Sequence, residues 1–185
     1  NDKIDIFYYF IFELFVAHFI NTELYNKMSK ILIVAEVKKG EIKKNTLELL
    51  SFAKSQGIES DAVLSGSGVA RQANVLAGQG ASTVYLADDE SLEIYNTEQY
   101  TCLVTDALKQ SGATQVWLSS SELGRDLTPR LAARHNVGAL SDVTQLEVNG
   151  DEIQAQRPCM STKVMQTCQF SKKGLRIISI RSGFF

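Results

Sequence analysis

The sequence predicts an α/β protein: an open parallel sheet with flanking helices, followed by a small antiparallel β tail. Between residues 30 and 136, short apolar runs alternate four times with longer amphipathic runs, as in repeated strand–helix units. Beyond residue 142 the helical periodicity stops and short strand-like runs follow one another. Right-handed crossovers between parallel strands place helices on both faces of a sheet, which makes the predicted body Rossmann-like.

The predicted strands are rich in β-branched and apolar residues. The first, residues 30–37, is apolar over nearly its whole length, as expected for a strand that is covered on both faces. The remaining strands of the body are predicted at 60–66, 82–89 and 113–120.

Each of these strands leads into a run whose apolar residues have helical spacing. The predicted helices cover residues 45–57, 68–80, 96–112 and 126–136. Glycine ends several of these runs, and glycine is the residue that most often follows the last turn of a helix.

The three cysteines predict neither disulfides nor a metal site. Cys102 is expected on the apolar face of the third helix, as a core residue rather than a reactive thiol. Cys159 and Cys168 complete an odd number without CxxC spacing. We therefore expect reduced, mostly buried thiols and no structural zinc.

The tail is predicted to be antiparallel. Two strand-like runs flank Asn149–Gly150, a good hairpin signal, and runs at 163–170 and 175–183 read as further strands. The sequence stops soon after the last run without a closing helix. The expectation is a chain that is cut before a further domain.

Residues 1–27 differ from the rest and are treated as a separate extension, with the domain at 28–185. Their apolar stretch, 6–20, is shorter than a membrane span, and Glu13 and His18 interrupt it. Three interpretations compete: a membrane-surface anchor, an apolar helix that covers part of the domain, or non-native sequence upstream of a true start. Met28, directly before the first strand, favours the third.

Composition and motifs exclude several function classes. A net charge of −2 and a pI near 5.7 leave no electrostatic footprint for nucleic acid. No G-x-S-x-G elbow is present, and neither GxGxxG nor a P-loop follows the first strand. His135, the only histidine in the body, falls late in a helix, where a surface or C-terminal cap role is expected. We assign no catalytic residue and expect no enzyme activity.

Two loops are candidate binding elements because they follow the carboxyl ends of predicted parallel strands, where ligands gather. In the first, the backbone around Ser65, Gly66 and Gly68 could hold an anion or nucleotide, or the glycines could simply permit a tight turn. In the second, Ser119 and Ser120 offer hydroxyl groups.

The second loop continues into charged residues with two interpretations. Arg125 supplies a planar guanidinium and Asp126 a carboxylate, which could contact a ligand or a partner protein. Alternatively, Ser121 or Asp126 caps the helix that follows.

The most specific pattern is a G-[KR]-D-L-x-P-R run followed by Ser-Asp. Its residues here are Gly124, Arg125, Asp126, Leu127, Thr128, Pro129, Arg130, Ser141 and Asp142. Together with "ILIVAEVKKGEIKKNTLELLSFAK", "VYLADDESLEIYNTEQY" and "KVMQTCQFSKKGLRIISIRSG", in this order and spacing, it resembles the amino-terminal domain of the electron transfer flavoprotein alpha subunit. The resemblance covers residues 29–185.

The resemblance implies an adenine nucleotide alpha hydrolase-like fold and a beta-subunit partner in an αβ heterodimer. Such heterodimers take electrons from acyl-CoA dehydrogenases and related donors and pass them to a membrane-bound quinone reductase or another acceptor. The family's FAD is held mostly by a second domain, which would follow the "IRSG" strand. The resemblance therefore assigns no FAD-binding residue to this chain. The implied compartment is the bacterial cytoplasm or, in a eukaryote, the mitochondrial matrix.

The resemblance also gives the motif an expected role on the surface toward the beta subunit or second domain. Arg125, Asp126 and Arg130 are expected to form a charge network, which Ser141–Asp142 meets from the next loop. In a partly buried network, removing one member would cost about 3–5 kcal/mol. One departure concerns the turn after Arg157–Pro158, where the family usually has small residues such as Ala-Gly and this chain has residues 159–162, Cys-Met-Ser-Thr.

Two alternatives remain beside this interpretation. The chain could be a stand-alone adenine-nucleotide-binding module that uses the loops at 65–71 and 119–126. It could also be a gene fragment that no longer functions, because an apolar front and an abrupt end are typical of a broken gene.

Overall fold

The computed structural model describes residues 30–149, 152–171 and 174–184. Six strands form one sheet in the order β5-β4-β1-β6-β11-β7, and every neighbouring pair is parallel. The strands are β1 Ile31–Ala35, β4 Ser60–Gly66, β5 Val84–Asp88, β6 Gln115–Ser119, β7 Ala139–Val143 and β11 Arg176–Ile180. The sheet confirms the predicted open, Rossmann-like α/β class.

Among the described residues, four α-helices flank the sheet, two on each face. They are α1 Lys44–Ser55, α2 Gln72–Gln79, α3 Thr97–Ser111 and α4 Glu122–His135, with a short 3-10 helix at Glu90–Leu92. In β1, Ile31 and Ile33 pack into the core under α1 and α2, whereas Leu32 and Val34 pack under α3 and α4. Because both faces are covered, all five residues of β1 are buried, as its apolar composition predicts.

Helix ends follow the capping chemistry of the sequence. Asn96 begins α3 by accepting hydrogen bonds from the backbone N–H groups of Glu98 and Gln99, and Gly112 ends it in the left-handed conformation. Ser121 caps α4 through Gly124 N–H, so this helix begins at Glu122, before the predicted residue 126. Of the two caps proposed from the sequence, Ser121 is the one observed.

The final strand departs from the predicted tail. Residues 175–183 were expected to extend the antiparallel tail, but β11 lies between β6 and β7 in the parallel sheet. All five of its residues are buried, which suits a strand that is covered on both faces. Its neighbour β7 was not predicted, because its half-buried residues include Ser141 and Asp142 and lack a strong apolar run.

The antiparallel part of the tail is an excursion between β7 and β11. It is a three-stranded sheet in the order β10-β9-β8, formed by β8 Gln145–Asn149, β9 Glu152–Cys159 and β10 Val164–Gln169. The small antiparallel sheet and the hairpin that joins β8 to β9 are confirmed. Leu146, Ile153 and Ala155 pack into the same core as α1 and α2.

A second short hairpin follows β1. Strands β2 Val37–Lys38 and β3 Glu41–Ile42 pair across Lys39 and Gly40, which have positive φ values of 54° and 78°. A two-residue loop with positive φ at both positions is a favoured hairpin connection. The strand predicted at 30–37 therefore ends at Ala35.

The predicted burial of the cysteines is wrong for Cys102, which is exposed, while Cys159 and Cys168 are half-buried. Helix α3 buries Tyr100, Val104 and Leu108 along one stripe. At 100° per residue, Cys102 lies well outside that stripe. Cys102 was predicted on the apolar face because of its apolar neighbours in the sequence, but the helical geometry places it outside that face.

The extension at 1–27, with its three interpretations, lies outside the described residues. So does the turn at Lys172–Lys173 that was expected to join the last two strands. Within the described ranges, no helix is long and apolar enough to cross a membrane.

Candidate functional site

The carboxyl ends of β1 and β6 border the crevice where ligands bind in open α/β sheets, because the chain reverses its direction of strand addition there. Glu36, directly after β1, occupies this crevice with a side chain that is only 2% exposed. Its carboxylate accepts hydrogen bonds from Lys43 Nζ at 2.7 Å and Ser121 Oγ at 2.6 Å. Both carboxylate oxygens are thus satisfied by the protein itself.

The three serines after β6 also have partners within the protein. Ser119 Oγ accepts a hydrogen bond from Asn45 Nδ2 at 2.7 Å, which joins α1 to the end of β6. Ser120 Oγ donates to Ser179 Oγ at 3.2 Å, and Ser121 Oγ serves both Glu36 and the α4 cap. Through Ser119 and Ser121, the loop after β6 is therefore bonded to α1, to Glu36 and to the start of α4.

The glycine turn after β4 already binds a carboxylate group of the protein itself. Gly68 N–H and Ala70 N–H donate to the two carboxylate oxygens of Asp88, at 2.6 Å and 2.8 Å. Asp88 is the last residue of β5. This contact also explains why α2 begins at Gln72 rather than near residue 68.

A cavity of about 380 Å³ lies above this turn. Ser65 and Gly66 line it together with Glu36, Glu93 and Lys39, whereas Ser119 and Ser120 do not. The two candidate loops are therefore not brought together around one cavity.

These contacts do not fit FAD. A dinucleotide pyrophosphate needs free backbone amides or cations. Here two amides of the glycine turn bind Asp88, and the Glu36 carboxylate would face the phosphates.

Helix α4, which contains the G-[KR]-D-L-x-P-R run, requires glycine where it passes closest to the end of β6. A Cβ atom on Gly124 would lie 1.8 Å from the carbonyl oxygen of Ser119, far inside van der Waals contact. Pro129 lies within the same helix and lacks the N–H that would otherwise bond to the carbonyl of Arg125. Both residues therefore act on backbone geometry.

Asp126 belongs to a polar cluster between α3 and α4. Its Oδ2 accepts hydrogen bonds from Thr97 Oγ1 and, at 2.8 Å, from Tyr95 Oη. Arg130 Nε is 3.7 Å from Oδ1. The hydrogen bonds from Thr97 and Tyr95 hold the pKa of Asp126 below its usual range, while burial raises the pKa of Tyr95 to about 12.

Asp142 forms a second cluster on the other side of α4. Arg181 Nε donates to its Oδ1 at 2.9 Å, and Arg181 Nη2 donates to Oδ2. These bonds lower the pKa of Asp142, and the charges of Arg125 and Arg157 add to the effect. Asp142 has a left-handed backbone conformation with φ of 63°.

The single network expected from Arg125, Asp126 and Arg130 is thus two clusters. Arg125 and Asp126 are consecutive in the helix, so their side chains point about 100° apart. The charge of Arg125 therefore lowers the pKa of Asp142, whereas Arg130 contacts Asp126. The Arg130 and Asp126 side chains are 57% and 43% exposed. Pairs this exposed contribute about 0–1 kcal/mol, less than the 3–5 kcal/mol expected from a partly buried network.

His135 lies in the last turn of α4, where it is half-buried against α3. Its Nε2 is 3.2 Å from Thr105 Oγ1. Burial lowers the pKa of His135, with further contributions from the charges of Arg134 and Lys109. This is a packing contact between helices.

Sequence reasoning missed several residues that shape these clusters, namely Glu36, Asp88, Tyr95, Thr97 and Arg181. Glu36 carried a usable signal, since a carboxylate directly after a doubly covered strand must find a partner when it is buried. Arg181 lies within the quoted "IRSG" segment but was not paired with Asp142. Within 30–149, 152–171 and 174–184, no group of three or more metal-ligating side chains occurs.

Comparison with known proteins gives a consistent set of relatives. The pattern of the electron transfer flavoprotein domain matches residues 31–185. Protein FixB of Clostridium saccharobutylicum is 34% identical over 160 residues, which cover 83% of this chain and 47% of that protein. The electron transfer flavoprotein subunit alpha of Clostridium acetobutylicum is 30% identical over 159 residues, with the same coverages of 83% and 47%.

A third relative carries a more specific name. The acryloyl-CoA reductase electron transfer subunit beta of Anaerotignum propionicum is 29% identical over 128 residues, which cover 67% of this chain and 35% of that protein. The chain spans about half the length, or less, of these curated relatives.

Proposed function

The chain belongs to the electron transfer flavoprotein domain family, and on this premise we propose that it is the amino-terminal platform of an alpha subunit. The platform positions other polypeptide, and it has no turnover of its own. One observation carries the proposal: the crevice that binds ligands in related folds is filled by the Glu36 carboxylate, held by Lys43 and Ser121.

The proposed cofactor is FAD, held mostly by a flavin-binding domain of the alpha subunit other than this platform. The occupied amides at Gly68 and Ala70 support this assignment, because they leave the glycine turn without free donors for a pyrophosphate. The same contacts disfavour the adenine-nucleotide module as a second candidate.

The proposed partner is an electron transfer flavoprotein beta subunit. Electrons would come from acyl-CoA dehydrogenases or related donors and pass to a quinone-linked acceptor. The family membership supports electron transfer, and the name of the acryloyl-CoA reductase subunit supports a redox partner that acts on acyl-CoA compounds. The proposed compartment is the bacterial cytoplasm, with the mitochondrial matrix as its eukaryotic counterpart.

The proposed docking surface is the exposed side of α4 around Asp126 and Arg130. Tyr95 and Thr97 hold the Asp126 side chain through hydrogen bonds, and Arg130 Nε lies 3.7 Å from Asp126. Both charged side chains remain about half exposed, so a partner can reach them. Charged groups at an interface rim chiefly affect the association rate and the choice of partner.

Co-purification tests this assignment. A tagged full chain, co-expressed with a beta subunit and the flavin-binding half of an alpha subunit from a related organism, should retain both. Arg130→Ala should weaken retention of the partners by about tenfold. Lys109→Ala is the matched control, because Lys109 is an exposed cation in an ion pair on the adjacent helix α3. Failure of the unmodified chain to retain either partner would favour the non-functional fragment.

A further inference from the structure

A second cavity lies apart from the crevice that Glu36 occupies, between α4 and the strands β7 and β11. Its volume is about 370 Å³. Arg125 and Thr128 line it from α4, Ser141 and Asp142 from β7, and Ser179 from β11. Nothing in the proposed platform role uses this cavity.

The surroundings of the cavity carry an excess of positive charge. Arg181 binds the Asp142 carboxylate through two nitrogens and neutralises it. The charges of Arg125 and Arg157 also lower the pKa of Asp142. Neither arginine forms an ion pair within the described part of the chain. Three guanidinium groups therefore lie near enough to Asp142 to lower the pKa of its carboxyl group. The Nε atom of Arg157 is buried and has no hydrogen-bond partner there.

A buried hydroxyl group also lacks a partner. Thr128 is 1% exposed, and its Oγ1 makes no hydrogen bond among the described residues. Buried hydroxyls in proteins are normally satisfied, so this one needs an explanation. A ligand in the cavity that Thr128 lines would supply the missing acceptor.

The backbone at the cavity is strained as well. Asp142 adopts a left-handed conformation, and the pairing of β11 with β7 shifts register between Ile178 and Ile180. The Asp142 N–H donates to Ser179 Oγ at 3.1 Å, which fixes this conformation. Non-glycine residues held in this region cluster at binding sites, where the surrounding structure maintains the strain.

We propose that this cavity binds the phosphate group of a small ligand, with Arg125 and Thr128 as its principal donors. Guanidinium and hydroxyl groups together match the geometry and charge of a phosphate, and the excess of positive charge excludes a cationic ligand. Ser141, which also lines the cavity, is a further donor. Asp142, held by Arg181, is a positioning residue that shapes the cavity wall.

Titration of the full chain with inorganic phosphate tests the proposal. Two-dimensional ¹H–¹⁵N spectra at constant ionic strength should show saturable shifts at Ser141, Asp142 and the first turns of α4. Arg125→Gln should weaken phosphate binding by about tenfold, and Thr128→Val should weaken it several-fold. Arg134→Gln is the control: it removes an arginine from the same helix that lines a different cavity, and phosphate affinity should not change.

Three outcomes would overturn the proposal. The first is no saturable shift with phosphate, and the second is an unchanged affinity in Arg125→Gln, whose spectrum reports whether the variant is folded. The third is equal affinity for acetate, which would indicate a site for carboxylates, such as a side chain of a neighbouring protein. None of these titrations measures beta-subunit retention, so the platform proposal is tested separately by co-purification.

Discussion

At Gly124, contact with the Ser119 carbonyl leaves no room for a side chain, because α4 turns directly over the end of β6. Gly124 therefore has a steric role, and the close approach that it permits sets the positions of the polar residues beside it. Ser121 can cap α4 and bind Glu36 at once only while the helix lies this near to β6.

Gly124→Ala should destabilise the fold by roughly 3 kcal/mol, because the added methyl group would force α4 away from Ser119. Gly78→Ala is the control, since Gly78 lies within α2 with nothing near the added Cβ. That change should stabilise by about 0.5–1 kcal/mol through helix propensity. Urea unfolding measures both, and equal effects would contradict the steric role.

The pair of Asp142 and Arg181 predicts a pH dependence. The folded-state pKa of Asp142 is lowered, so the pair contributes stability above the unfolded value near 3.8 and loses it as pH falls through the folded pKa. Asp142→Asn should cost about 1 kcal/mol at pH 7, since the two side chains are 25% and 33% exposed. The difference from the unmodified chain should close below pH 3.8.

Asparagine also tolerates the left-handed backbone of residue 142, so this variant isolates the charge. Asp106→Asn is the control, because Asp106 forms an exposed pair with Lys109 and should show almost no effect. Unfolding curves from pH 2 to pH 7 provide the comparison. A constant gap between Asp142→Asn and the unmodified chain would refute the assignment.

At the scale of elements, the turn between β9 and β10 places non-glycine residues in the left-handed backbone region. Met160, Ser161 and Thr162 all have positive φ, at 50°, 54° and 67°. Each left-handed non-glycine residue costs roughly 1–2 kcal/mol, most for a β-branched side chain. The departure noted in the sequence at this position therefore corresponds to a strained turn.

Thr162→Gly should stabilise the protein by about 1 kcal/mol by removing this strain. Thr167→Gly makes the same chemical change at an exposed position within β10, where glycine should destabilise by about 0.5–1 kcal/mol. Thermal unfolding distinguishes the two signs. A loss of stability in Thr162→Gly would show that the hydroxyl or methyl group of Thr162 matters more than the backbone.

How much of an element the sequence predicts depends on its burial. Strand β4 is buried at all seven of its residues, and it was predicted at its observed bounds. Strand β7 was missed because it lies half-buried at the sheet edge with polar residues. The place of β11 in the parallel sheet could not be derived from local pattern, since it depends on pairing with β6, about sixty residues earlier.

The same reasoning applies to the site. The pairing of Arg130 with Asp126 follows from helical spacing and was predicted. Ser121 was one of two residues proposed as the cap of α4. The contacts of Asp88 with Gly68 and of Arg181 with Asp142 join residues 20 and 39 positions apart. Such contacts depend on strand order, which a local pattern does not contain.

At the scale of the whole molecule, the described domain fills the crevice between β1 and β6 with its own side chains. Glu36 lies between β1 and β6, and Asp88 holds the glycine turn. The exposed α4 surface and the second cavity lie away from this crevice. This arrangement suits a platform that positions a redox centre held by other polypeptide.

Titration of FAD into the purified chain, followed by flavin fluorescence, tests this central claim most directly. The account predicts no saturable quenching, because the amides and the crevice that would receive the cofactor are occupied by Asp88 and Glu36. Saturable binding of one FAD per chain, in the absence of any partner, would contradict it.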